Sequence, residues 1–219
     1  MELQEILIRR HSIRQYKDLD VPEVDIEKIV KAAGTAPSGK NSQNWHFVAI
    51  KNKDLINKIG SIVALKNEKI AQQMDKKDLD KGSKFRKFVK NFTLFFLKAP
   101  VLAIVFTTTY YPSGYHELSL IDAPQKATDD ILLRRNPGMQ SLGAALENFT
   151  LAAIDSGYGT CWLTSANYAA AEIEQLLKEE IGFHKEGYFI GAIMVLGVPE
   201  DNPKSPKKKE LEEIYTFIK

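Results

Sequence analysis

The apolar run at residues 188–198 (YFIGAIMVLGV) constrains the fold more than any other feature of the sequence. A run of this length, rich in β-branched residues and free of charge, predicts a buried strand. Shorter runs at 45–50 (WHFVAI) and 101–107 (VLAIVFT) predict two more strands, and residues 160–164 predict a short strand or an extended turn. The chain is therefore expected to build a sheet from strands scattered along its length.

Apolar residues at helical spacing lie between these strands. They predict helices over 2–9, 22–33, 54–65 and 141–156, and Asn167 is placed to cap a helix through Lys178. Helices and strands mix without a regular βαβ alternation, which indicates an α+β fold. The 219 residues contain no internal repeat and no linker, so we expect one domain over 1–219 that buries about 70% of its unfolded surface.

The segment 66–98 differs from the rest because it combines many basic residues with phenylalanine. Its five phenylalanines fall on one stripe of a helix with a basic opposite face, and residues 110–130 predict a long loop. We expect about 66–130 to form a variable lid, with Phe88, Phe92 and the 110–130 loop as the wall of a substrate pocket. The alternative is an amphipathic helix packed on the core with a solvated basic face.

Composition and charge exclude several classes of protein. The net charge of +2 is too small for a chain that binds polyanions over its whole surface. No stretch is apolar enough to span a bilayer, and the first residues (MELQEILIRR) do not form a signal peptide. We expect a cytoplasmic protein with no membrane partner. We also expect no nucleic-acid partner, because a single phenylalanine stripe indicates burial rather than stacking on bases.

The sequence contains no recognisable catalytic or metal-binding cluster. One cysteine excludes a disulfide framework, and the four histidines show no paired spacing for a metal. Cys161 lies in an apolar run, where a buried structural thiol is the default. We therefore predict no metal site and no catalytic side chain, so that any redox or group-transfer chemistry comes from a cofactor.

Two basic or polar stretches are candidates for ligand binding. Arg10 and Arg14 share a face if the first helix continues, and Arg10, Ser12 and Arg14 share one if the chain becomes extended. Either geometry brings two guanidinium groups to one spot, which suits a phosphomonoester. The alternative is a solvated basic helix end that complements its own dipole. The loop 36–45 (APSGKNSQNW) offers amides, hydroxyls and an unobstructed N–H at Gly39 to a ligand edge that alternates donors and acceptors. Its alternative is an ordinary helix-to-strand turn.

A third stretch, 157–165 (GYGTCWLTS), superficially suggests a dinucleotide-binding glycine loop. That motif follows a strand and opens a helix, whereas this one follows a helix and lacks the third glycine. The two glycines are instead predicted to end the helix and to let the backbone approach a flat group.

Taken in order, these stretches resemble the FMN-dependent nitroreductase family. The resemblance rests on residues 10–14 (RHSIR), on 36–38 (APS) followed by 41–47 (NSQNWHF), and on 157–160 (GYGT), and it covers roughly 3–55 and 140–215. It implies a nitroreductase-like α+β fold with a mostly antiparallel central sheet flanked by helices. It also implies an intertwined homodimer with two FMN sites at its interface.

The resemblance also implies roles for individual residues. Arg10, Ser12 and Arg14 match the phosphate and ribityl contacts, with His11 nearby, and Lys207 and Lys208 of the basic run complete the phosphate site. The remaining matches surround the isoalloxazine ring, with Lys40 and the two phenylalanines on the substrate side. The ring contacts implied in this way are Pro37, Ser38, Gly39, Asn41, Gln43, Asn67, Trp162, Leu163, Thr164 and Ser165.

The function implied is a ping-pong oxidoreductase. NADH or NADPH delivers hydride to N5 of FMN, and a small-molecule acceptor such as a nitroaromatic or a quinone then takes it over the same ring face. The sequence departs from the family at Asn44, where proline is common, and in a C-terminal lysine where arginine is common. The alternatives are another flavin reaction of the family (enone reduction, dehydrogenation or dehalogenation) or a non-catalytic flavin- or nucleic-acid-binding module.

Overall fold

A computed structural model describes residues 1–200 and 206–218 of the chain. Side-chain caps fix several of its helices: Asn52 accepts a hydrogen bond from the N–H of Leu55, and Asn136 accepts one from the N–H of Met139. The α-helices are α1 (Leu3–Arg9), α2 (Glu23–Gly34), α3 (Lys53–Asp75), α4 (Leu79–Phe88), α5 (Tyr115–Leu120), α6 (Gln125–Asp129), α7 (Pro137–Asp155) and α8 (Ala170–Ile181).

Within these ranges, four strands form one sheet: β1 (Trp45–Ile50), β2 (Val101–Thr108), β3 (Gly159–Leu163) and β4 (Tyr188–Gly197). Their order is β1-β2-β4-β3, and every neighbouring pair is antiparallel. The α+β fold and the antiparallel sheet predicted from the sequence are therefore confirmed. The segment after α1 runs beside the β3 edge, where Tyr16 bridges to Pro199.

The sheet is buried because helices cover both of its faces. Residues 101, 103 and 105 of β2 pack with Ile29 of α2 and Phe149 of α7. Residues 102, 104 and 106 face the other way and pack with Ile59 of α3 and Leu177 of α8. Since both sets of alternating side chains are buried, the central strands are apolar throughout, which is why they stand out in the sequence.

The segment 66–98 is not the single helical stripe predicted. After α3 and α4 the chain makes a π-helical turn (Val89–Thr93) and then a 3₁₀ turn (Leu94–Lys98). The change in residues per turn sends the phenylalanines in different directions. Phe95 and Phe96 are buried, whereas Phe88 and Phe92 are 45% and 52% exposed. The alternative prediction, in which all five phenylalanines pack on the core, is therefore wrong.

Two local predictions are also wrong. The 110–130 segment is not an unbroken loop, because it contains the short helices α5 and α6 and continues into a π-helical turn (Asp130–Arg135). Asn167 does not cap α8; it lies within a 3₁₀ turn (Ser165–Ala169), and its Oδ1 is buried without a hydrogen-bond partner. The 3₁₀ turn continues past Asn167 to the residue before α8, so the N-cap position of that helix falls at Ala169.

Candidate functional site

The basic segment after α1 is held against the β3 edge of the sheet. The N–H of Ile13 donates to the carbonyl of Thr160 at 2.8 Å, and the N–H of Lys17 donates to the carbonyl of Val198 at 2.9 Å. Gly159 permits this contact, because a Cβ at that position would lie 2.5 Å from Cγ1 of Ile13. The first and third sequence motifs are therefore neighbours in space. The close approach at Gly159 is made to the aliphatic side chain of Ile13 and not to the flat group predicted from the sequence.

A cavity of about 240 Å³ opens between this segment, β3 and α7. Arginine, hydroxyl and indole groups therefore line one cavity that is open to solvent on one side. Its lining residues are Arg10, His11, Ser12, Glu147, Thr150, Thr160, Cys161 and Trp162.

Positive charge is only partly neutralised at this cavity. Nε of Arg10 lies 3.9 Å from Oε1 of Glu147, at the outer limit of an ion pair. Arg14 is exposed, and its Cζ lies 5.9 Å from the centre of the Phe95 ring. His11 is half-buried, with Nδ1 2.7 Å from the carbonyl oxygen of Arg9. The guanidinium of Arg10 is thus available to an anion at the cavity, whereas Arg14 is not among the lining residues.

The indole of Trp162 is fixed from the α7 side. Its Nε1–H donates to Oγ1 of Thr150 at 3.0 Å, and the Thr150 hydroxyl donates to the carbonyl of Leu146 at 2.9 Å. Burial raises the pKa of the neighbouring Cys161 thiol, while the charge of Arg14 and a hydrogen bond with Ser12 act in the opposite direction. Cys161 is therefore the buried thiol that the sequence predicted.

The loop between α2 and β1 has an unusual backbone. Lys40, Asn41 and Gln43 all have positive φ values, of 52°, 52° and 43°. Such values are uncommon outside glycine and are tolerated where surrounding contacts hold the chain. Here the N–H of Gln43 donates to Oγ of Ser38 at 2.9 Å, and the N–H of Gly39 donates to Oγ of Ser141 at 3.4 Å.

This loop and the Arg10 cavity lie at opposite corners of the sheet. The loop leads into β1, one edge strand, at the end where Thr107 pairs with Phe189. The cavity adjoins β3, the other edge strand, where Thr160 pairs with Leu196. Those two points on β4 are roughly 23 Å apart at about 3.3 Å per residue. One chain therefore does not bring the two predicted parts of the binding site together.

Several other predicted site residues lie away from the cavity. Asn67 is buried in α3, where its Nδ2 donates to the carbonyl of Val63 and its Oδ1 has no partner. Phe88 and Phe92 stack on each other with ring centres 5.6 Å apart. Lys40 is exposed, as are Pro37, Thr164 and Lys208, while Leu163 is buried and Ser165 begins the 3₁₀ turn.

The C-terminal lysines are described only in part of their loop. Lys207 is exposed, and its Nζ lies 2.9 Å from Oε1 of Glu210. Its neighbour in the structure is therefore Glu210 and not Arg10. Residues 201–205 of the predicted basic loop lie outside the described residues. The contribution of Lys207 and Lys208 to a phosphate site remains a prediction.

A second cavity, of about 290 Å³, lies beside the 37–43 loop. Tyr110 joins the two features, because its hydroxyl would be 2.7 Å from a Cβ at Gly39. The walls come from the end of β2, from the π-helical turn and from the start of α7, and they are mainly apolar. They consist of Thr107, Thr108, Thr109, Tyr110, Leu132, Leu133, Asn136, Gly138, Met139 and Phe189.

Sequence reasoning missed the part of the first cavity that belongs to α7. Glu147 and Thr150 are three residues apart and face β3 from a helix whose buried residues are mostly apolar. Two polar residues at helical spacing in a mostly apolar helix were the available signal. The described residues include no group of His, Cys, Asp and Glu side chains suited to a metal, and no helix among them is long and apolar enough to cross a membrane.

The arrangement of helices and sheet is that of the nitroreductase fold. A nitroreductase with bound FMN from Desulfitobacterium hafniense superposes with a TM-score of 0.71 at 20% identity, over 99% of this chain and 97% of that one. A profile described as the Nitroreductase family matches residues 7–198. The chain therefore belongs to the nitroreductase family.

Two further relatives are similar to this chain. A BluB-like flavoprotein from Clostridium difficile 630 superposes with a TM-score of 0.97 at 62% identity, and the match covers 100% of both chains. An iodotyrosine deiodinase from Hydra vulgaris is 36% identical over 103 residues, which are 46% of this chain and 37% of that protein. The matched segment thus spans little more than a third of the length of this curated relative.

Proposed function

We propose that the protein is an FMN-dependent oxidoreductase that passes hydride from NADH or NADPH to a small aromatic acceptor, such as a nitroaromatic or a quinone, in a ping-pong reaction. The observation that carries this proposal is the cavity in which Arg10 and Ser12 meet Trp162 at the edge of β3. Membership of the nitroreductase family supports it, as do the similar solved structures described as a flavoprotein and as FMN-bound.

The residues of the cavity suit FMN. Arg10 and Ser12 line the cavity, where Arg10 supplies a cationic donor for a phosphate. The exposed Arg14 lies two residues further along the chain and is proposed as a second donor. Trp162 offers an apolar face next to the cavity, 40% exposed and held by Thr150. When bound, FMN supplies a ring position, N5, that accepts a hydride and releases it again.

The protein's part in such a reaction is binding and orientation. Arg10, Ser12 and Arg14 hold the phosphate and ribityl groups, and the backbone of 162–165 covers one face of the ring and excludes water from it. Donors of the 37–43 loop orient the polar edge of the ring and stabilise negative charge there. No side chain is required to move a proton, in keeping with the prediction of no catalytic residue.

A homodimer completes the site. Because the loop and the Arg10 cavity lie at opposite corners of one sheet, a second copy must bring its 37–43 loop to the cavity of the first. The acceptor pocket then lies at the interface. The residues around the 290 Å³ cavity form one of its walls, and Phe88 and Phe92 are candidates for another.

Reductive dehalogenation is the second candidate reaction. It is favoured by the similarity to an iodotyrosine deiodinase, which exceeds 30% identity over nearly half of this chain.

The exposure of Phe88 and Phe92 beside Lys87 and Lys90 removes the burial argument against nucleic-acid binding. The absence of a nucleic-acid partner therefore stays a prediction.

Spectroscopy of the purified protein tests the main proposal. We expect a yellow protein with a flavin spectrum that bleaches under NADH or NADPH without oxygen and recovers on addition of a quinone or nitroaromatic. Recovery with iodotyrosine and release of iodide, but not with the other acceptors, would favour dehalogenation. A colourless protein that FMN does not reconstitute would overturn both.

Substitution of Arg10 by alanine tests the phosphate site. We expect the Kd for FMN to rise roughly ten- to hundredfold, because a hydrogen bond to a charged group contributes about 1.5–3 kcal/mol. Arg9→Ala is the matched control, since Arg9 is exposed and pairs with Glu5. Equal Kd values for both variants, measured by FMN fluorescence, would contradict the assignment.

A further inference from the structure

Asn44 is a buried polar residue at the junction between the 37–43 loop and β1. It is 1% exposed. A buried amide must be hydrogen-bonded or it costs free energy, so its contacts indicate what it does there.

The side chain of Asn44 ties the end of the loop to two other elements. Its Nδ2 donates to Oγ1 of Thr107 on β2 at 2.9 Å and to the carbonyl of Gly138 on α7 at 3.2 Å. The Thr107 hydroxyl in turn donates to the backbone carbonyl of Asn44 at 2.6 Å. Residues 44 and 107 thus form a reciprocal pair, and the amide adds a third point of attachment at the start of α7.

The orientation of the amide is fixed by the same contacts. With Nδ2 facing the Gly138 carbonyl, Oδ1 is left buried without a hydrogen-bond donor. Rotating the amide by half a turn would set two oxygens against each other. Because Oδ1 has no hydrogen-bond partner, the amide of Asn44 adds little net stability to the fold. What asparagine provides at this position is the two hydrogen bonds that Nδ2 donates.

The neighbouring backbone explains why this attachment matters. Gln43, directly before Asn44, has a φ of 43°, and two of the three residues before it are also left-handed. Proline at position 44 would supply no side-chain donor. Its ring would also push residue 43 towards extended conformations and away from the helical regions. The left-handed loop and the asparagine are therefore physically linked.

We propose that Asn44 is a positioning residue that attaches the 37–43 loop to β2 and α7 and thereby sets the geometry in which the loop meets the flavin ring. This inference rests on the proposed function for the identity of the ligand. The attachment itself concerns only residues of this chain.

Three variants test it. Asn44→Ala removes the side chain, Asn44→Asp keeps its shape but removes both N–H donors when it is ionised, and Asn44→Pro removes the donors and restricts the backbone of residue 43. Asn52→Ala is the control, because Asn52 flanks the other end of β1, where its Oδ1 accepts a hydrogen bond from the N–H of Leu55 at 3.0 Å, away from the loop.

The first readout is hydrogen exchange of the flavin-free protein. We expect peptides that cover 38–43 to exchange at least about fivefold faster in all three Asn44 variants, with peptides from β4 unchanged. The Asn52 variant should keep wild-type exchange in the loop. Unchanged exchange at 38–43 in the alanine and aspartate variants would overturn the proposal, whether or not the protein binds FMN.

The second readout is the bound flavin. We expect the three variants to alter the visible circular dichroism of FMN and to raise its Kd about tenfold, whereas a merely structural role would lower the melting temperature and leave the spectrum unchanged. Wild-type spectra and Kd values in the folded alanine and proline variants would overturn the positioning role. If even the wild-type protein does not bind FMN, the proposed function fails and the exchange experiment decides the attachment alone.

Discussion

At the scale of single residues, the site depends on one close backbone contact. Gly159 lets the segment that carries Arg10 and Arg14 lie against β3, with Ile13 directly over the glycine. The glycine has an extended backbone, so the requirement is for space and not for a left-handed conformation. Any side chain at 159 would push the basic segment away from the edge of the sheet.

Gly159→Ala should therefore weaken both stability and the site. The new Cβ would lie 2.5 Å from Cγ1 of Ile13, and overpacking of this kind costs about 1–3 kcal/mol. Urea denaturation would measure the loss of unfolding free energy.

Gly143→Ala is the control, because it lies within α7 with no atom within 4 Å of the added Cβ. There we expect a gain of about 0.5–1 kcal/mol from helix propensity. Equal effects of the two substitutions would mean that the contact with Ile13 is not what requires glycine.

At the scale of elements, α3 and α4 form a hairpin held by one arginine. Arg86 on α4 makes two hydrogen bonds to Glu68 and two to Asp75, all between 2.7 and 3.1 Å. Gly82 makes room for this arrangement, because a Cβ there would lie 1.8 Å from Oδ1 of Asp75. Phe88 is the last residue of α4, and Phe92 lies in the turn that follows it. Because Arg86 holds α4 against α3, it also fixes the position of these two exposed rings.

Arg86→Gln should loosen the hairpin, since it removes the planar fork that serves both carboxylates. We expect a lower melting temperature and faster proteolysis between α3 and α4 at neutral pH. Lys84→Ala is the control, because Lys84 pairs only with the exposed Asp80 one turn away. A melting temperature equal to wild type would show that the ion pairs contribute nothing.

The contribution of Arg86 should also depend on pH. Its guanidinium holds the pKa values of Glu68 and Asp75 below their usual range. Carboxyls with lowered pKa values stabilise the fold above their unfolded pKa of about 4 and lose that contribution as the pH falls through the folded value. The difference in melting temperature between wild type and Arg86→Gln should therefore shrink from pH 7 to pH 3. A constant difference would contradict this linkage.

At the scale of the whole molecule, the exposed apolar surface at the C-terminus indicates an interface. From Leu211 to Ile218 the apolar side chains are all more than half exposed, and Tyr215 stacks on Phe217 with ring centres 6.4 Å apart. Exposed apolar segments of this kind are typical of association surfaces. In the proposed homodimer, a second copy of the chain would cover them.

Removal of residues 211–219 should therefore weaken the dimer. We expect the full chain to sediment at twice its 24.7 kDa and the shortened chain to dissociate at concentrations where the full chain does not. Glu212→Gln, a single change in the exposed turn Leu211–Glu213, is the control. A monomeric full chain would overturn the dimer and with it the shared site.

Much of the fold was predictable because local patterns carry it. The strands at 45–50, 101–107 and 188–198 were found from uninterrupted apolar runs, which arise because helices cover both faces of the sheet. The helix before Phe88 was predicted, but the π-helical turn that follows it was not, since no local pattern distinguishes a π turn from an α-helix. The direction in which Phe88 and Phe92 face follows from that turn.

The sequence by itself determined the α+β class, the family resemblance and the residue types suited to a phosphorylated ligand. These depend on periodicity and on short motifs, which are local properties of the chain. Only the tertiary structure decided that Gly159 brings the Arg10 segment to β3, that Glu147 and Thr150 complete the cavity, and that the 37–43 loop lies at the opposite corner of the sheet. Those facts depend on strand order and on contacts between residues far apart in sequence, and no local pattern records them.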